Sequence, residues 1–237
     1  MNPTFKALSA LLSYPTLNLL AALPEIWRIL AAEAQLGPEQ KADLAQLIKR
    51  LATEPLLDLE EAYVLLFDRS RSLSLHLFEH VHGESRDRGQ AMVDLAEIYS
   101  RGGLSVSGGE LPDYLPLFLE YLATLKADEA SAMLADPLAI LQALGERLAK
   151  RQSDYAGIMS ALVALAGGAS ESEELKTLRA EPLEDPNDKE AIDRAWEETM
   201  VQFGPGDPDA EGSCPLAREA VARMMDPDPM PEERSDG

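Results

Sequence analysis

Along the first 67 residues, apolar side chains recur at intervals of three and four, with polar ones filling the gaps. Phe5, Leu8, Leu11 and Leu12 share one face of a helix that has to end before Pro15. Thr16 restarts the pattern, and Pro24 is placed to begin a fresh turn through Ile26, Trp27 and Leu30. After a break at Gly37-Pro38, the residues Leu44, Leu47, Ile48 and Leu51 form the single buried stripe of another helix. Glu54-Pro55 closes it, and Leu56 to Phe67 gives a further helix.

The rhythm then changes. Leu73, Leu75 and Leu77 alternate with Ser72, Ser74 and His76, so residues 69–84 read as an extended connector laid over the helices, with a second, helical register open to residues 73–82. Ser85 is placed to cap a helix running to about Tyr99, which Arg101-Gly102-Gly103 ends. Leu111 to Leu122 is apolar on nearly all sides and predicts a central helix. Asp128 to Lys150 gives another, with Pro137 as a kink or a joint between two shorter helices. Ser153 opens a helix through Ile158, Leu162 and Leu165 that stops at Gly167-Gly168, and Asp188 to Met200 forms a last amphipathic piece. No internal repeat is visible.

The expected fold class is therefore all-α, a single-domain helical bundle. Alanine and leucine dominate, aromatic residues are 5%, and valine, isoleucine and threonine scarcely occur at period two. With 46% hydrophobic residues in 237, the chain can build a substantial core. Residues 204–237 differ: six prolines and 9 acidic against 3 basic residues predict a disordered acidic tail, leaving residues 1–203 as the folded domain.

Charge narrows the partners. The net charge is −21, and residues 170–237 carry 20 acidic against 7 basic residues, −13 of that total. Such a field repels phosphate backbones and anionic headgroups, which weighs against nucleic acid and favours a basic peptide. Cys214 is the single cysteine, so no intrachain disulfide or CxxC pair exists. The N-terminus lacks the pattern of a secretory signal and no apolar run is long enough to span a bilayer, so a cytoplasmic location is expected.

All three histidines lie close together in Leu75-His76-Leu77-Phe78-Glu79-His80-Val81-His82-Gly83-Glu84. His76, Glu79 and His80 fit the HxxEH pattern of zinc hydrolases, in which two histidines one helical turn apart hold the metal and the glutamate activates water. That chemistry needs a settled helix and a third ligand, and no second motif supplies one. The competing readings are histidines that satisfy local hydrogen bonds in a loop, or a recognition segment. Arg69, Arg71, Arg86 and Arg88 make a basic island around the same segment, interleaved with Asp68, Glu79, Glu84 and Asp87. They either pin the connector to the helices through ion pairs or contact a partner's carboxylates or phosphates. The pairs Gly102-Gly103, Gly108-Gly109 and Gly167-Gly168 complete no phosphate-binding motif, no GxSxG elbow occurs, and Trp27 and Trp196 read as core or interface anchors.

The run from Tyr63 to Met92, YVLLFDRSRSLSLHLFEHVHGESRDRGQAM, resembles the central signature of the NarJ-type chaperones, and Glu110 to Leu122, ELPDYLPLFLEYL, resembles their other marked segment. The acidic ending with Trp196-Glu197-Glu198 and Phe203 extends the likeness over about residues 4–203. These proteins belong with TorD and DmsD, all-helical cytosolic chaperones of molybdenum enzymes. The resemblance implies a non-enzymatic chaperone with no resident cofactor. Its client would be the N-terminal segment of the unassembled alpha subunit of respiratory nitrate reductase. It would act while the molybdenum cofactor and an iron–sulfur cluster are inserted, alongside molybdenum cofactor biosynthesis proteins, and would not remain in the mature membrane complex. A chaperone of that kind needs an apolar groove with acidic rims. Tyr63, Phe67 and Phe78 with Tyr114, Leu117 and Tyr121 are the candidates for the groove. Arg69, Arg71, His76, Glu79, His80, His82, Glu84, Arg86 and Arg88 are the candidates for recognition beside it.

Overall fold

Asn2 opens the first helix: its side chain accepts the Thr4 N–H at 3.1 Å, and Pro3 stands at a position where no N–H is needed. The computed structural model describes residues 2–81, 86–106 and 109–181, with only the backbone of residues 86 and 87. Helix α1 (Pro3–Leu12) buries Phe5, Leu8, Leu11 and Leu12, the face expected from their spacing. Helix α2 (Leu17–Ala32) is capped by the Thr16 hydroxyl, which accepts from Leu19 N at 3.2 Å. It runs through Pro24 without the fresh start the sequence suggests. The stripe Leu19, Leu23, Ile26 and Leu30 lies buried on both sides of the proline, so tertiary packing offsets the one missing backbone hydrogen bond.

Helix α3 (Pro38–Thr53) buries Leu44, Leu47 and Leu51. Helix α4 (Leu56–Tyr63) widens into a π-turn over Val64–Asp68, where Arg69 N donates five residues back to Val64 O at 3.2 Å. Such a turn offsets the phase of the side chains that follow and is frequent at functional positions. Helices α5 (Arg86–Arg101), α6 (Leu115–Leu122), α7 (Ala127–Ala135), α8 (Leu138–Lys150) and α9 (Ala156–Leu165) complete the expected set, with Pro137 as the joint between α7 and α8.

An additional helix, α10 (Glu173–Ala180), was not foreseen. Ser172 caps it by accepting Leu175 N at 3.0 Å, and Leu175 and Leu178 are its buried residues. The helix packs on α8. The anticipated helix over residues 188–200 and the tail over 204–237, with Trp196, Phe203 and Cys214, lie outside the described residues, as do Ser85 and Gly108.

Among the described residues the chain is all-α, its one strand-like pairing being an isolated bridge between His76 and Tyr114. Helix α1 packs on α2 and α6, and α9 packs on α3 and α8. Where α3 meets α9, Gly157 permits the approach: a Cβ built there would fall 2.7 Å from Asp43 Cβ. Helix α6 is central, burying Leu115, Phe118, Leu119, Tyr121 and Leu122. It begins four residues later than the apolar run suggests, because the backbone at Asp113 and Leu115 is committed to the connector.

That connector is the main departure from the expected picture. Leu73, Leu75 and Leu77 are buried, but so are Ser70, Ser72 and Ser74 on the alternate side. The segment is therefore embedded in the bundle rather than laid over it, shaped by short 3₁₀ turns at Arg71–Leu73 and Leu77–Glu79. Its buried polar groups are satisfied from afar. The buried Arg147 guanidinium of α8 donates to Ser72 O at 2.9 Å, to Leu178 O at 2.6 Å and to Glu181 Oε2 at 2.9 Å, tying connector and α10 to one side chain. Ser70 and Ser72 share a 2.7 Å hydroxyl contact.

Candidate functional site

Asp113 organises the region where the two marked sequence segments meet. It is one of two acids within an apolar run, and in the fold it is fully buried. Its Oδ2 accepts Phe78 N at 3.1 Å, its Oδ1 lies 3.1 Å from His76 Nδ1, and Leu77 N donates to its backbone carbonyl at 3.0 Å. Leu115 N returns the pairing to Leu75 O at 2.8 Å. A buried carboxylate requires this number of donors. Arg88 of α5 adds charge from the other side, 3.2 Å from Glu79 Oε1 and 3.9 Å from Asp113 Oδ2. The connector is thus pinned by ion pairs at Arg88 and Glu79, one of the two roles the basic island suggested.

The histidines are set in opposite directions. The Asp113 hydrogen bond raises the His76 pKa above 6.5, working against the burial that would lower it. Burial lowers that of His80, whose Nε2 lies 2.9 Å from Ser74 O. The HxxEH reading places both rings on one α-helical face, whereas here His76 precedes a 3₁₀ turn and the two rings meet separate partners. No group of three or more His, Cys, Asp or Glu among the described residues is arranged to hold a metal ion.

Beside this pin lies a cavity of about 220 Å³. Tyr63, Phe67, His76 and Tyr114, four of the residues singled out in the sequence, line it together with Leu75 and Ser74. Tyr14, at the end of α1, forms a further wall, and Asp68 and Glu110 stand among the lining groups. The walls are stiff. The Tyr63 ring packs on Phe67 (4.9 Å between centroids) and edge-on to Tyr14 (5.6 Å), and Phe67 packs edge-on to Tyr155 (5.1 Å). The Tyr63 hydroxyl donates to Leu12 O at 2.7 Å and meets the Tyr114 hydroxyl at 3.1 Å. Burial pushes the Tyr63 phenol far above its ordinary pKa, so it stays neutral. Partial burial also raises the Asp68 carboxyl, with His76 acting in the opposite sense.

The residue pattern matches a known family. A family model described as nitrate reductase delta subunit matches residues 33–161, a span that includes the connector, α5 and α6. This chain belongs to the nitrate reductase delta subunit family. It is 44% identical over 195 residues to the nitrate reductase molybdenum cofactor assembly chaperone NarJ of Escherichia coli K12, covering 82% of each chain. It is 43% identical over 190 residues to the protein named probable nitrate reductase molybdenum cofactor assembly chaperone NarW of the same strain, covering 75% of this chain and 81% of the relative. With the probable NarJ of Bacillus subtilis 168 it shares 35% over 162 residues, 68% of this chain and 86% of the relative. The likeness to NarJ-type chaperones read from the two segments is thereby established, and in family terms these segments are the ones that pin each other at Asp113 and His76.

The other residues singled out in the sequence are distributed around this centre. Phe78 and Leu117 are partly buried against the core, and Tyr121 is buried with its ring 4.9 Å from Tyr99, outside the cavity lining. Arg69 and Arg71 are exposed. His82 and Glu84 lie outside the described residues, and of Arg86 only the backbone is described. Tyr14, Asp68, Glu110 and Asp113 were not singled out as site residues. Asp68 carries a signal in the sequence as an acid beside the basic island, and Asp113 as an acid near the start of a largely apolar run. No described helix is long and apolar enough to cross a membrane.

Proposed function

We propose that this protein is a non-enzymatic chaperone of respiratory nitrate reductase that binds the N-terminal segment of the unassembled alpha subunit. It holds that subunit in the cytoplasm while the molybdenum cofactor and an iron–sulfur cluster are inserted, in contact with molybdenum cofactor biosynthesis proteins, and departs before membrane attachment. The observation that carries this reading is the stiff aromatic cavity with two carboxylates in its lining, built at the junction of the two family segments. Family membership supports the chaperone role, and the names of the relatives support nitrate reductase as the client.

An amphipathic client segment supplies what such a site takes: apolar side chains for the aromatic walls and basic ones for the acidic rim. Tyr63, Phe67, His76 and Tyr114 are the contact residues of the cavity, and the partly buried Phe78 and Leu117 are further candidates. Residues 1–203 constitute the chaperone domain, and the acidic segment 204–237 adds to the field that draws a basic partner. Calorimetry with a peptide copying the alpha subunit's N-terminus tests this at two salt concentrations. Binding that weakens about tenfold or more between low and moderate salt is expected. Absence of binding, together with failure to co-purify with cofactor-free reductase, would overturn it.

A further inference from the structure

The cavity beside Tyr63 presents aromatic faces and the carboxylates of Asp68 and Glu110, and its one titratable cation, His76, is held by Asp113, a chemistry that favours a cationic side chain. Two of the hydroxyl protons in its wall, those of Tyr63 and Tyr114, are already committed. Tyr63 spends its single proton on Leu12 O, so the 3.1 Å contact with Tyr114 has Tyr114 as the donor. No lysine or arginine lines the cavity, and His76 has its Nδ1 turned to Asp113. Among the described residues, neither Asp68 nor Glu110 forms an ion pair or a side-chain hydrogen bond. A space of about 220 Å³ is too small for a helix and large enough for the end of one long side chain.

We propose that this cavity receives the guanidinium of a single arginine of the partner segment, its plane stacked on a tyrosine ring and its charge facing Asp68 and Glu110. This rests on the reading that the site binds the reductase subunit's N-terminal segment. A guanidinium suits the walls better than an ammonium, because it is planar, weakly hydrated and carries five donors for a wall that includes two carboxylates and tyrosine faces. Stiff rings held by Leu12 O and by one another lose little freedom when it enters.

The full chain is titrated with N-acetyl-arginine-amide and with N-acetyl-citrulline-amide, which has nearly the same shape and no charge, while the tyrosine ring resonances are followed by NMR. The arginine probe is expected to shift the rings of Tyr14, Tyr63 and Tyr114 saturably, and citrulline to bind roughly tenfold more weakly. The double variant D68N/E110Q should lose a similar factor for arginine. A control, E39Q/E120Q, removes the same charge at exposed positions and should stay within about twofold of the wild type. No response to arginine, equal responses to the two probes, or equal loss in both variants would overturn the pocket. The same proteins are then titrated with the reductase peptide. Peptide binding that ignores D68N/E110Q overturns the pocket and leaves the client assignment standing. A peptide that does not bind, beside an arginine probe that does, removes the client assignment and leaves the pocket.

Discussion

His76 Nδ1 lies 3.1 Å from Oδ1 of the fully buried Asp113, joining two segments 37 residues apart in the chain. The contact holds the rim of the cavity in place, and it makes the histidine's charge part of the fold. Asp113 raises the His76 pKa above 6.5, so the stabilisation from the protonated ring is fully present below that value and is lost as pH rises through the higher pKa of the folded state.

His80 behaves in the opposite way. Its burial lowers the pKa, so it contributes stability above 6.5 that is lost as pH falls toward the lower pKa of the folded state. NMR titration of the imidazole protons, assigned by H76Q and H80Q, should therefore find the two residues on opposite sides of 6.5. Coincident titration near the ordinary value would show that neither environment holds in solution.

Arg147 is expected to be among the most sensitive positions in the fold. Replacing it by Met leaves Ser72 O and Leu178 O without their donor and Glu181 without its partner, at a cost of about 3 kcal/mol. Urea denaturation measures this. R147K should recover only part of the loss, because a single ammonium cannot reach carbonyls on two segments with the same geometry. An R147M midpoint within error of the wild type would mean that connector and α10 are not secured by this side chain.

Gly157→Ala tests the α3–α9 contact. The added methyl would stand 2.7 Å from Asp43 Cβ, so the two helices must separate or tilt, and a loss of about 2 kcal/mol is expected in thermal or chemical unfolding. Gly89→Ala is the comparison. Among the described residues, a Cβ built there meets no atom within 4 Å beyond its own stretch of α5, so the substitution should be neutral or slightly stabilising.

Substituting the cavity walls separates binding from stability. Tyr114→Phe removes the hydroxyl that meets Tyr63 while keeping the ring, and should change the melting temperature by no more than a few degrees. Tyr14 is half exposed, so Tyr14→Ala should lower client peptide affinity several-fold with little effect on folding. A Y14A variant that binds the peptide as well as the wild type would remove Tyr14 from the binding surface.

Most helices could be read directly from the chain, because their signals are local. Pro15, Gly37-Pro38, Glu54-Pro55 and Pro137 stand where helices end or begin, and stripes such as Leu44, Leu47 and Leu51 bury one face against any available core. The family likeness was legible for the same reason, being carried by two contiguous segments. The tertiary structure decided what distant residues do to one another. Alternation at Leu73, Leu75 and Leu77 implies one buried side, yet Ser72 and Ser74 are also buried, and Ser72 O is paired by Arg147, 75 residues away. Helix α10 offers only Leu175 and Leu178 in an acidic stretch, too little to fix it without the surface of α8. The cavity draws its walls from residues 14, 63–68, 74–76 and 110–114, and no periodicity in any one of these stretches encodes the meeting of all four, because that meeting depends on how the helices pack.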